Sequence, residues 1–327
     1  MEGIMMRGPK SAAMAVRNTK GEIVIEDVPI RTSKRPAICR WPIIRGVFGF
    51  IDSMTLGYKC LMRSAELSGL EDLVEESPKK KKKCEAEAPA KQAEEKESQE
   101  EKLPAWTMTV MMVVAVVLAV ALAVLLFFMA PTALYSWISS FGILKTDNAA
   151  LNSLIKSVFE GLFKIIILVS YMALISLMKD IRRTFMYHGA EHKTIFCYEA
   201  GLALTVENVR KQRRFHPRCG TSFLILMLLV SIFVSFFIDP ISIAIGGAVL
   251  PTLWRTVVRL LLFPIVMGLG YELIKLAGKH DNWLTRFISF PGVLLQHITV
   301  FEPTDDMIEC AIEAVTRVIP EDGSDRI

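Results

Sequence analysis

Residues 106–130 form a run of 25 residues without a charged side chain. As a helix such a run crosses the hydrocarbon layer of a bilayer, which takes ~20 apolar residues. Three further apolar stretches, 154–178, 223–238 and 251–276, give about four transmembrane helices and a mainly α, polytopic membrane protein. The apolar fraction of 52% agrees, and a net charge of only +4 gives no ground for a nucleic-acid partner. The Gly-containing stretch 241–250 fits either a re-entrant turn or the continuation of a long helix.

Outside the spans the chain divides readily. In the amino-terminal part, 1–64, runs at 12–17 and 22–27 flank Asn18-Thr19-Lys20-Gly21, the pattern of a hairpin, so a small β-containing region is expected. Residues 41–62 are apolar but interrupted by Arg45, Asp52 and Lys59, which predicts a helix lying on the membrane. Residues 65–103 are charge-rich, with five lysines at 79–83, and read as a solvated linker. The transmembrane region, 104–276, contains a loop at 179–220, and a tail at 277–327 carries an amphipathic helix over 305–319.

Orientation follows from the basic residues. The 179–220 loop holds nine lysines and arginines, against Lys145 alone in 131–149, so the loop is expected in the cytoplasm. Four spans then place both termini there too. Six dispersed cysteines without a C-x-x-C pair fit a reducing compartment, and the mixed, polar first forty residues predict no cleavable signal peptide. Glu160 stands four residues before Lys164 and invites an ion pair, and Arg255 or Arg259 could also reach Glu160. With other ionisable groups near span ends, a permeation route ranks lowest among the functions considered.

Three of the five histidines fall in the basic loop: YHGAEHK gives His188 and His192, and RFHPRCG gives His216 together with Cys219. On a helix ended by Gly201, His188 and His192 share one face, and H-x-x-E-H is the pattern in which two imidazoles hold zinc beside a glutamate base, here Glu191. His216 and Cys219 would add an imidazole and a thiolate, completing four ligands for a divalent metal, zinc first. The competing reading is a polar structural network, with His188 or His192 paired to Glu199 or Glu207 or lying among lipid headgroups, and Cys219 a small buried residue at the start of the third span. Glu272, near the loop-side end of the fourth span, is a second catalytic candidate, or a partner of Lys275. The basic stretch 210–218 reads as a lipid contact that orients the protein.

The strings MEGIMMRGP, WPIIRGVFGF, YHGAEHK, LTVENVRKQRRFHPRCGTSF, GYELIK and PGVLLQHITVFEP resemble the YqhQ-like family of bacterial membrane proteins, over nearly all of the chain except the charged linker. The resemblance implies a membrane location and a metal-dependent enzyme of unknown reaction. By position it points to His188, Glu191, His192, Glu199, His216, Arg218, Cys219, Glu272, Gln296 and Glu302. Relatives carry two threonines where this chain has Thr299-Val300, a departure at the end of that motif.

Two functions are therefore expected to compete. One is a membrane-bound metal-dependent hydrolase acting on a membrane-proximal substrate, with Glu191 as general base. The other is a non-enzymatic factor whose closed metal site staples the loop for docking onto a membrane machine such as a translocon or protease complex.

Overall fold

The structure is a computed structural model that describes residues 3–8, 11–29, 36–67, 105–144, 146, 148–217, 219–279 and 282–320. The lysine run, nearly all of the 65–103 linker, and Arg218 lie outside the described residues. The chain begins with three strands, β1 (Gly3–Arg7), β2 (Ala12–Arg17) and β3 (Ile23–Val28), in an antiparallel sheet of order β1-β2-β3. The expected hairpin is β2–β3, with Ala13 opposite Asp27 and Arg17 opposite Ile23; Asn18 Oδ1 accepts from the Lys20 and Glu22 amides to close the turn. β1 was not foreseen.

β2 is central and buried on both faces, which its small side chains permit. Ala13 and Ala15 face a core built with α5 (Lys179–Glu199), α6 (Val206–Arg210) and α10 (Asp305–Val318), whereas Met14 and Val16 face Cys60 of α1 (Ile44–Leu67). The amphipathic carboxy-terminal helix thus finds its apolar partner. Met307, Ile308 and Val315 go into this core, and each large side chain buried there contributes about 1.5–3 kcal/mol.

Among the described residues four helices are long and apolar enough to cross a membrane, and the chain is a membrane protein. The first combines α2 (Ala105–Val124), a π-helical turn (Leu125–Met129) and α3 (Ala130–Ser140). The wider turn precedes Pro131, whose missing N–H and bulky ring an unbroken α-helix would not accommodate. Within residues 110–140 its most apolar stretch is unburied, as a lipid-facing helix requires. The other three are α4 (Ala149–Ser176), α7 (Gly220–Gly246) and α8 (Thr252–Lys279). α7 runs through Pro240 to Gly246 and stops where Gly247 turns left-handed at φ 69°, so the first half of 241–250 is helix.

Two elements join the spans to the rest of the chain. α1 is one continuous helix whose start is tied to α8: Arg45 grips Glu272 through both carboxylate oxygens, and Gly46 lies against Tyr271. Its exposed Ile51, Met54, Tyr58 and Leu61 suit an interfacial position. The stretch read as the start of a tail contains α9 (Trp283–Thr299), opened by a reciprocal cap between Asn282 and Thr285. α9 packs on α7, α8 and α4, with Gly292 against Ser222, and turns Trp283, Phe287, Phe290 and Leu294 outward.

Candidate metal centre

α5 carries the centre. Its end is set as the sequence predicts, by Gly201 at φ +68°, and His188 and His192 stack one turn apart with ring centroids 4.4 Å from each other. Gly189 lets the helix approach the chain after α9, because a Cβ there would lie 2.0 Å from the Phe301 carbonyl oxygen. Phe301 N also donates to Phe185 O at 3.1 Å, fixing the segment that supplies the first orienting group.

That group is the Thr299 carbonyl, 3.0 Å from His188 Nδ1; the Arg214 carbonyl is 2.6 Å from His192 Nδ1. A carbonyl only accepts, so both rings carry their proton on Nδ1 and leave Nε2 with a free lone pair. This is how metal-binding histidines are oriented by their outer partners. Cys219, the N-cap of α7, brings Sγ to 3.0 Å from His188 Nε2, while the Thr221 amide donates to it at 3.4 Å. One ligand atom from each of His188, His192 and Cys219 lies within 4.8 Å of the others.

His216 stands beside this group and outside it. Its ring is 5.7 Å from that of His192, packs on Phe196 at 4.6 Å, and points Nε2 toward Glu199 at 3.6 Å. Of the four residues read as ligands, His188, His192 and Cys219 come together and His216 lies apart from them, beside Glu199. The loop is held by Gln296 of α9: its Oε1 accepts from His216 N at 2.8 Å, and its Nε2 donates to His216 O at 2.7 Å. Gln296 is fully buried. Lys193 ties α5 to Glu302 and to the Arg210 carbonyl, a second brace across the same segments.

The two carboxylate candidates also fall outside the ligand group among the described residues. Glu191 stays on α5 beside the histidines, where desolvation pushes its carboxyl above the usual carboxylate range and nearby His188 opposes the shift. Glu272 is engaged by Arg45 and the Ile43 amide, with Lys275 adding a weaker electrostatic attraction, and it is not part of the ligand group among the described residues. The orienting groups that sequence reasoning missed are mostly main-chain carbonyls, which have no sequence signature. Gln296, in contrast, is among the positions the resemblance points to, and it lies on the helix face of Gly292, Leu295 and Thr299, all buried.

A second polar cluster lies among the spans. Arg259 pairs with Glu160 at 2.5 Å, as one expectation had it, and Thr132 donates to Glu160 at 2.9 Å. Lys164 makes no pair with Glu160; its Nζ sits 5.2 Å from the Phe128 ring centroid. Arg255 pairs with Asp239 at 2.6 Å, and Ser153 donates to the same oxygen at 2.7 Å. Asp239 escaped notice because the third span was ended at Ile238, one residue short. The premise that ionisable groups keep to the span ends is therefore corrected: Glu160 and Lys164 sit near the middle of α4.

A family described as protein of unknown function (DUF1385) matches residues 41–321. The chain is 31% identical over 324 residues to the protein of Bacillus subtilis (strain 168) called uncharacterized protein YqhQ, covering 98% of this chain and 90% of that one. No solved structure matches.

Proposed function

The chain belongs to the family described as protein of unknown function (DUF1385), and from that starting point we propose that it holds a divalent metal, zinc first, on His188 Nε2, His192 Nε2 and Cys219 Sγ. One observation carries the reading: both imidazoles have Nδ1 at a main-chain carbonyl, His188 Nε2 lies 3.0 Å from Cys219 Sγ, and a ring nitrogen of His192 lies within 4.8 Å of the ligand atoms of both. Two nitrogens and a sulfur suit zinc and leave one position of a tetrahedron for a further ligand. A bound zinc would supply Lewis acidity and countercharge at that point.

The surrounding residues do the rest. The Thr221 amide at the start of α7 donates to Cys219 Sγ and fixes its direction, and the clamp of Gln296 holds the loop that orients His192. Glu191, whose carboxyl desolvation holds above the usual carboxylate range, can give or take a proton next to the site. This is the equipment of a metal-dependent hydrolase whose substrate lies at the membrane face. The basic residues of 179–220 support placing that face and both termini in the cytoplasm.

Metal analysis of purified full-length protein beside a His188→Ala/His192→Ala variant tests the reading, with roughly one zinc per chain expected in the first and almost none in the second. Equal metal content in both ends it. X-ray absorption then separates catalysis from stapling: three protein ligands plus a light oxygen donor favour the hydrolase, and four protein ligands favour a docking factor for a membrane complex.

A second reading rests on the 3.0 Å contact between Cys219 and His188. Without metal the same pair is a thiol activated by an imidazole, as in cysteine nucleophiles. Rapid alkylation of Cys219 in metal-free protein, lost in His188→Ala, would favour it.

A further inference from the structure

Among the spans, five ionisable side chains are no more than 6% exposed: Glu160, Lys164, Asp239, Arg255 and Arg259. Two Arg–carboxylate pairs neutralise one another, which leaves Lys164 as an uncompensated positive charge in the interior of the bundle. The guanidinium groups are not fully used either. Arg255 Nε and Nη1 and Arg259 Nε are buried without a hydrogen-bond acceptor among the described residues. Asp239 Oδ1 is likewise buried without a donor among the described residues, so the excess that matters is the one net positive charge, which in a low-dielectric interior is unfavourable unless an anion joins it.

Lys164 also lines a cavity of about 380 Å³ bounded by all four spans. Its walls are otherwise almost wholly apolar, including Val124, Phe128, Leu168, Met227 and Phe263. A cationic group at the edge of an apolar slot matches a molecule with one anionic head and a hydrocarbon chain. Water or a free inorganic anion would leave the slot walls without a partner.

We propose that the four-span bundle binds one anionic lipid, its phosphate meeting Lys164 at the Arg255/Arg259 cluster and a hydrocarbon chain entering the cavity. The site is separate from the metal centre, and nothing in it requires metal.

The test uses the full-length protein, delipidated in neutral detergent and titrated with phosphatidylglycerol, phosphatidylcholine of the same chains, or inorganic phosphate, with binding read by native mass spectrometry and by thermal shift. Phosphatidylglycerol is expected to bind at least tenfold more tightly than phosphatidylcholine, with a stoichiometry near one, and inorganic phosphate not to compete. Lys164→Met should abolish the preference and Lys164→Arg retain it. Leu168→Trp, which fills the slot and keeps the charge, should weaken phosphatidylglycerol at least tenfold, so the proposal stays testable if the Lys164→Met protein does not fold. Equal binding of the two lipids, an unchanged preference in folded Lys164→Met, or unchanged binding in Leu168→Trp overturns the proposal. Effective competition by inorganic phosphate overturns the lipid assignment, because the chain would then contribute nothing.

Discussion

Replacing Gln296 by Leu probes how far the metal centre depends on a residue that touches none of its ligands. The side chain makes two bonds to the main chain of His216, at 2.7 and 2.8 Å, and a longer one to Ser222 Oγ at 3.3 Å. Leucine fills a similar volume and makes none of them. If the loop stays closed, one N–H and one C=O remain buried without partners, at about 1–3 kcal/mol each, or about 2–6 kcal/mol together. If the loop opens to hydrate them, the Arg214 carbonyl leaves His192 Nδ1 and Cys219 loses its place. Metal binding must then supply the energy of closure. At ~1.4 kcal/mol per tenfold, even the lower bound weakens affinity by roughly thirtyfold. Competition against a chromophoric chelator measures that affinity, and thermal unfolding in detergent measures the first term independently. A Gln296→Leu protein with metal affinity within about threefold of wild type and an unchanged Tm would refute the reasoning, since neither route would then have been taken.

Gly189→Ala forces a methyl to within 2.0 Å of the Phe301 carbonyl oxygen, so α5 must withdraw; a loss of about 2 kcal/mol or more is expected, read as a lower unfolding midpoint with weaker metal binding. Glu160→Gln or Arg259→Met leaves one buried charge alone, at about 3–5 kcal/mol, whereas the double variant should lose less than the sum, and additive losses in a double-mutant cycle would contradict the pairing. Acid should loosen the sheet from its helices: Arg63 holds the Glu26 carboxyl, and Arg317 the Asp27 carboxyl, below the usual carboxylate range. Folded values below the unfolded ones mean the contribution is complete above the ordinary carboxylate range and disappears as pH falls through the folded values. Hydrogen exchange in α10 should therefore accelerate between pH 6 and 3.5, and Asp27→Asn should show the faster exchange already at pH 6.

The parts legible in the sequence are those that local chemistry decides. A 25-residue uncharged run can only be satisfied as a membrane helix, Asn18 to Gly21 can close a hairpin, and Gly201 can end α5, whatever the rest of the chain does. The same logic placed His188 and His192 on one face, because a spacing of four residues fixes that without tertiary contacts. The helix α9 was less legible, since its Pro291 and its mixture of outward aromatics with buried polar residues obscure the apolar period.

Which partners meet was decided by packing. Cys219 rather than His216 joins the pair on α5 because α7 begins beside His188 and Gln296, some eighty positions along the chain from His216, holds the intervening loop in place. Glu272 serves Arg45 because α1 lies along α8, a contact between segments more than two hundred residues apart. Asp239 and Arg255 are unremarkable letters near span ends until the bundle closes over them. Hydrophobic length and helical period act on neighbours in sequence and can be read there, whereas burial and electrostatic pairing depend on which distant surfaces exclude water together, and only the assembled tertiary structure fixes that.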